Sequence, residues 1–347
     1  MTGFKQKFVD AAVQAGALAL AVAFTSALLK AAGASPLETY RQLISGSVDS
    51  FAEFAYVLRG WVPLILATAG VLITFTAGLW NIGVEGQIML GAVFTTWALR
   101  LLQGADLPPA VVLAAGIAAG MIGGALWAAL AGALKTYGGV HEIFGGLGLN
   151  FVATAISLWL IFGPWKRPGI GSMSGTEPFP ETLWMTELAS GHVSPWALGL
   201  AVAGIGVVAL LVRNTGFGLR LKAVGKNPCS SHRLGIPPAR YMMWAFILCG
   251  LFAGAAGALQ VTSVYHRLIP SISSGYGFLG LLVAMLAAYR ALWAIPIALF
   301  FAAINVGSIQ LPIMLQLDSS LSGVLQGALV LFVLMAEGAR RRWMRSS

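Results

Sequence analysis

Leu79-Trp80-Asn81-Ile82-Gly83-Val84-Glu85-Gly86-Gln87 is a polar, glycine-broken island with an apolar run on either side. Of the 12 acidic residues in the chain, Glu85 alone is set deep between two membrane-length apolar stretches. A bare carboxylate at such a depth is expensive and functional by default, so the island marks a pathway. Gly83 and Gly86 each cost a helix about 1 kcal/mol relative to alanine, and the backbone groups they free need protein or water partners. A broken or re-entrant helix is expected here. A second reading stands beside the pathway: Glu85 starts the half-helix that leads into the next apolar run, where its charge meets unpaired amides and a positive dipole end.

Working outward, the rest of the chain fixes the class. Its 347 residues are 58% hydrophobic and only 10% charged, with a mean hydropathy of +0.83, far from a soluble globular domain. At about 20 apolar residues per crossing, a chain of this length with short loops holds about eight to ten membrane helices. Barrel strands would alternate apolar and polar residues, and these runs do not. The expectation is an all-α integral membrane protein forming one transmembrane domain over residues 1–347. Cys229 and Cys249 give no disulfide framework, since one falls in a basic segment and the other in an apolar run.

Lys5 and Lys7 precede an apolar run over 9–29, and Ala32-Gly33-Ala34 beyond it could pass for a signal-peptidase site. The run exceeds the ~7–15 residues of a signal-peptide core, which favours an uncleaved first helix. Residues 35–60 mix both charges and read as an amphipathic external segment. Apolar runs follow at 61–80, 88–102, 109–134, 147–163, 195–212, 241–261, 278–289, 291–309 and 321–336. In the run at 109–134, Gly116, Gly120, Gly124, Ala128 and Gly132 recur at every fourth position, a stripe that lets helix backbones approach closely, within the bundle or between chains. A second glycine-interrupted island at 271–280 echoes the first, and paired broken helices point to a substrate site near the midplane of a transporter.

From 213 to 240 the segment carries Arg213, Arg220, Lys222, Lys226, Arg233 and Arg240 and no acid. By the positive-inside rule it is cytoplasmic, as are the arginine-rich tail and the amino terminus, and ten crossings agree with both ends inside. Within it Asn227 is a capping residue, Pro228 suits a first helical turn, and Gly235 is a stop, so 227–236 reads as a short docking helix. No G-x-x-x-x-G-K-[ST] phosphate loop occurs, so the chain binds no ATP by itself. His141, His192, His232 and His266 are scattered over different loops, which argues against a metal site. The basic segment has too few aromatics for nucleic acid.

Trp80 to Gln87 followed by Gly91-Ala92, then His141-Glu142-Ile143 with Leu149-Asn150, then Gly216-Phe217-Gly218-Leu219-Arg220 through Gly225-Lys226-Asn227-Pro228 to Gly235-Ile236 together resemble the permease subunits of bacterial ABC importers. The likeness covers about residues 61–336. Within these permeases it is to the branch serving ribose, branched-chain amino acids and nucleosides, and the island is most similar to nucleoside or simple-sugar members. The chain departs from the pattern at Arg290-Ala291-Leu292-Trp293-Ala294, where an asparagine- or histidine-proline pair is common. The resemblance implies an inner-membrane permease with no cofactor of its own, paired with a second, paralogous permease. It implies cytoplasmic ATPase subunits that bind ATP and Mg and dock on the short helix, and an external binding protein that delivers substrate.

Asn81, Glu85, Gln87, Asn150 and Tyr276 are therefore expected on the translocation path. Lys226, Asn227, Pro228, Ser231, His232, Arg233, Leu234 and Gly235 are expected at the ATPase contact, with Leu234 filling an apolar notch. Two rivals remain: a secondary transporter using Glu85 as a proton or sodium site, and a membrane-embedded enzyme, for which one glutamate with two amides is thin.

Overall fold

The computed structural model describes residues 19–31, 33–169, 175–188 and 192–308, with Gly16 and most of 323–336. Among the described residues every regular element is helical: α1 (Ala19–Ala31), α2 (Pro36–Val48), α3 (Phe51–Thr76), α4 (Val84–Leu102), α5 (Pro109–Thr136), α6 (Glu142–Phe162), α7 (Pro195–Asn214), α8 (Gly216–Lys226), α9 (Pro228–Arg233), α10 (Pro238–Leu259), α11 (Tyr276–Leu286) and α12 (Ala291–Gly307). A 3-10 turn, Glu181–Leu183, and a π turn, Gln260–Val264, lie between them, and the described residues within 323–336 are helical as well. Five helices are long and apolar enough to cross a membrane (α3, α5, α6, α7 and α10 with its π turn), and α1 with α2 makes a sixth if counted as one broken span. Eleven residues of α11 rise only about 16 Å against a hydrocarbon core of about 30 Å. That is half a span, where the apolar run at 278–289 led to the expectation of a full crossing.

Two boundaries differ from the sequence expectation for a local reason. The helix expected from Trp61 begins at Phe51, because Ser50 and Glu53 form a reciprocal capping box. The Ser50 amide donates to Glu53 Oε2 at 3.0 Å and the Glu53 amide to Ser50 Oγ at 3.1 Å. Residues 36–48 are helical too, so little of 35–60 is irregular. The helix expected from Leu147 begins at Glu142, with His141 Nδ1 accepting the Ile143 amide and Lys135 pairing with Glu142 at 2.5 Å. Part of the first expected helix (9–15, 17 and 18), the stretch 309–322 and the arginine tail lie outside the described residues.

The chain divides into two compact units. In the one built from residues up to 57 and from 299 onward, Thr25 and Tyr40 hydroxyls join α1 to α2 at 2.6 Å, and Ser47 Oγ donates to the Ala303 carbonyl at 2.7 Å.

The unit of residues 58–298 holds the rest. At its centre α4, α5 and α10 pack backbone against backbone. A side chain on Gly120 would strike Gly91 and Ala258, one on Gly124 would strike Gly250 and Gly254, and one on Gly132 would strike Phe246. The every-fourth stripe of α5 is thus consumed inside the chain, and of its two possible uses the structure shows internal packing. Such contacts give dispersion and interhelical polar contacts the role that apolar burial plays in water, since lipid is as apolar as the helices themselves.

Candidate functional site

The first island lies where α3 ends and α4 begins, with residues 77–83 outside any helix. Asn81 is fully buried, and it exchanges two amide hydrogen bonds with Gln87, each 3.2 Å, while its Nδ2 also donates to Cys249 Sγ on α10 at 3.1 Å. Asn150 reaches across from α6: its Oδ1 accepts the Gly86 amide at 2.8 Å and its Nδ2 donates to the Ile82 carbonyl at 3.0 Å. Asn150 thus satisfies two backbone groups at the break, the Ile82 carbonyl and the Gly86 amide, while the amides of Ala77, Gly78, Leu79 and Ile82 donate to nearby carbonyls.

The second island meets the first. Glu85, 8% exposed, accepts the Gly275 amide at Oε1, 3.2 Å, and the Gly277 amide at Oε2, 2.8 Å. Those amides open α11, and Glu85 is itself in the first turn of α4, so one carboxylate sits between two helix amino ends. The two amides and the helix ends give a carboxyl group at that depth polar partners in the absence of a cation. Gly277 lies so close that a side chain there would come within 2.7 Å of the Glu85 backbone. Tyr276, 9% exposed, is the first residue of α11. Gln260 in the π turn donates to the Ile272 carbonyl at 3.1 Å and pins the turn ahead of α11.

At the same end of the unit as the π turn, the long connection between α6 and α7 folds onto the chain after α10. Thr176 and Phe179 amides donate to the Leu268 and His266 carbonyls, both 2.9 Å, and the Met185 amide to Thr262 at 3.0 Å. Trp184 stacks on the His266 ring at 3.9 Å, and Arg59 donates to the Val264 carbonyl. Burial, then the nearby Arg59 charge, lower the pKa of His266 from the usual histidine value, which favours the neutral ring.

At the opposite end, α8 and α9 carry the basic segment. Asn227 Oδ1 accepts the Ser230 amide at 3.0 Å, Pro228 opens α9, and the Gly235 and Ile236 amides return to the His232 and Ser231 carbonyls at 3.0 Å with Gly235 at φ +78°. This double return around a left-handed glycine closes the helix. Lys226, Asn227, Pro228, His232, Arg233 and Gly235 are exposed and Leu234 is 78% exposed, whereas Ser231 is buried. Beside them runs a groove of about 850 Å³ lined by Leu219, Arg220, Lys226, Leu234, Arg240 and Tyr241 among others, with no acidic residue.

The two ends are joined directly. Gly225, near the end of α8, presses on the backbone of Thr76, Ala77 and Gly78, so that a side chain on Gly78 would lie 2.8 Å from the Gly225 carbonyl oxygen. Gly78 at φ +73° begins the break itself. Sequence reasoning missed this pair, as it missed Gln260 and the pairing of Cys249. A lone amide inside an apolar run was the available signal for Gln260; nothing local signals that two glycines 147 positions apart touch.

Comparison with known proteins agrees with this architecture. The chain is 29% identical over 331 residues to the glucose ABC transporter permease protein of Haloferax volcanii, covering 92% of this chain and 86% of the relative. It is 28% identical to the guanosine ABC transporter permease protein NupP of Bacillus subtilis, covering 91% of each. The nucleoside ABC transporter permease protein NupB of Lactococcus lactis is 25% identical, over 81% of this chain and 79% of the relative. Residues 54–334 match the family described as branched-chain amino acid transport system / permease component. That match spans both broken helices, the stripe and the basic segment, and the chain belongs to this permease family.

Proposed function

We propose that this chain is the transmembrane permease subunit of an ATP-driven importer for a nucleoside or a simple sugar. The single observation that carries the reading is the family match over 54–334, which takes in the exposed, capped helix α9 on an acid-free basic face. Relatives named for guanosine, nucleosides and glucose support the substrate class over ribose or a branched-chain amino acid. The reading includes about ten crossings in the inner membrane with both termini cytoplasmic. It includes a partner ATPase that supplies ATP chemistry and an external binding protein. A second, paralogous permease is part of it as well: in Bacillus subtilis two guanosine permease proteins, NupP and NupQ, both resemble this chain.

In this reading Asn81, Gln87 and Asn150 hold the break in one conformation, and Glu85 ties it to α11. The ATPase seats on α9 through Leu234, Arg233 and Lys226, and its movement passes through α8 and the Gly225–Gly78 contact to the break. The polar residues of the island thus shape the path by fixing backbone, with their side-chain hydrogen bonds spent on each other and on main chain. An ion-coupled carrier would need a Glu85 free to exchange its ion, and the carboxylate here accepts two amides of α11.

Uptake by the complete system in proteoliposomes tests the proposal. With ATP enclosed and the binding protein outside, labelled guanosine or glucose should accumulate, and an ionophore that dissipates proton and sodium gradients should leave the rate unchanged. Uptake that needs a gradient and ignores ATP would overturn it in favour of a secondary transporter. Accumulation of leucine alone would keep the transporter class and reject the substrate.

A further inference from the structure

A cavity of about 1090 Å³ opens between the ends of α3, α7 and α8 and the turn that joins α11 to α12. Four cations line it, Arg213, Lys222, Lys226 and Arg290, and no acid does. None of the four is paired with a carboxylate among the described residues, and the sequence holds no acid between Glu187 and Asp318 that could reach them locally. The remaining wall is apolar and aromatic. Leu72 and Phe75 form it on α3, and the Tyr289 ring packs edge-on against Phe75 at 5.1 Å. Ala288 and Tyr289 stand at φ +49° and +61°, a left-handed pair that non-glycine residues adopt at a cost, and this turn is what carries Arg290 to the cavity.

The mouth is unlike that of a site for a soluble anion. Leu210, Leu292 and Trp293, all lining residues, are 61%, 68% and 59% exposed, and they continue the apolar faces of α7 and α12. A phosphate or an acidic protein segment would neutralise the cations and leave that rim in water. A molecule with an anionic head and apolar chains satisfies both. Resting on the topology proposed above, which puts this end at the cytoplasmic leaflet, the geometry points to a binding site for the head group of an anionic phospholipid, its phosphate among Arg213, Lys222 and Arg290 and its chains on Leu210, Leu292 and Trp293. Anionic lipid is attracted by basic residues at that surface, and a tryptophan at the head-group level is a usual anchor. Occupied, the cavity would brace α8 against α3 close to the Gly225–Gly78 contact, so lipid composition would bear on coupling.

The test uses the full-length chain in bilayers doped with brominated phosphatidylglycerol or brominated phosphatidylcholine, reading the fluorescence difference between wild type and Trp293→Phe. Trp293 is expected to be quenched at lower mole fraction by the anionic lipid, by roughly a hundredfold, the combined effect of three basic residues. Each basic residue contributes about a factor of five, so Arg290→Gln should weaken the preference about fivefold and the triple variant with Arg213→Gln and Lys222→Gln about a hundredfold. The charge-conserving pair Arg213→Lys with Arg290→Lys should retain the preference and reports that the fold survives substitution at these positions. Equal quenching by the two lipids, or an unaltered preference in Arg290→Gln, overturns the proposal. Reversal by millimolar inorganic phosphate also overturns it and assigns a soluble anion site. The topology fails separately: an impermeant maleimide that labels the exposed Cys229 from outside intact cells would place this end outside, whatever the lipid preference.

Discussion

The break at 77–87 and the basic segment at 213–240 both interrupt an apolar chain with polar residues, and they dispose of that polarity in opposite ways. At the break, Asn81, Gln87, Glu85 and Asn150 are at most 8% exposed and each is held by at least two hydrogen bonds. In the basic segment Lys226, Arg233 and Arg240 are exposed, Leu234 is 78% exposed, and none of the three cations is paired with a carboxylate among the described residues. The contrast follows from what surrounds each region. Away from water an unsatisfied polar group costs about 1–3 kcal/mol, so the break can exist only as a closed network. At the interface water satisfies the cations without charge, and they remain available to a partner. A region whose polarity is spent internally holds a shape, and a region whose polarity is unspent receives a partner.

The strongest way to break this comparison is at the receiving end. Leu234→Asp combined with Ser230→Lys, at an exposed position, leaves the loop charge as it is and removes the apolar contact. Ser231 is unsuited to carry the added lysine because it is buried. If Leu234 is the anchor of the docking contact, association with the ATPase should weaken about thirtyfold or more, with uptake lost and insertion normal. Normal assembly in pull-down and transport assays would reduce α9 to a topology signal.

A smaller effect is expected at the joint between the regions. Gly225→Val drives a branched side chain into the backbone of Thr76 and Ala77, and should lower stability by about 1–3 kcal/mol through overpacking. In the assembled complex ATP hydrolysis should continue while uptake falls. Hydrolysis and uptake that stay in proportion would show that motion passes to the break by another route.

The smallest shift sharpens the shape-holding end. Glutamine at 85 keeps one acceptor, and its amide group would face the donor it replaces an acceptor for. Glu85→Gln should therefore cost about 2 kcal/mol, seen as a lowered Tm, with transport per folded molecule retained. An unchanged Tm with lost transport would instead make the carboxylate part of the substrate path.

Much of this was legible without coordinates. The all-helical membrane class follows from composition, since nothing else accommodates so many apolar residues. The break at Asn81 to Gln87 and the bounds of α9 follow from glycine, proline and capping asparagine, whose backbone preferences act within a few residues. Even the early start of α3 was present in Ser50 and Glu53, and was obscured by the charges around them. The length of α11 was not legible, because an apolar run reads alike whether it crosses a membrane or half of one.

What the sequence determined by itself, then, is which segments prefer the apolar phase and where their helices are interrupted, because both depend on residues adjacent in the chain. Only the tertiary structure decided what the interruptions do. That Glu85 meets the amides of Gly275 and Gly277, that Asn150 closes the first break, and that Gly225 rests on Gly78 are pairings across 190, 64 and 147 positions. A carboxylate, an amide and a pair of glycines carry no address for such partners. The packing of α4, α5 and α10 brings them within reach, and the cost of an unsatisfied polar group in an apolar interior then selects the pairing.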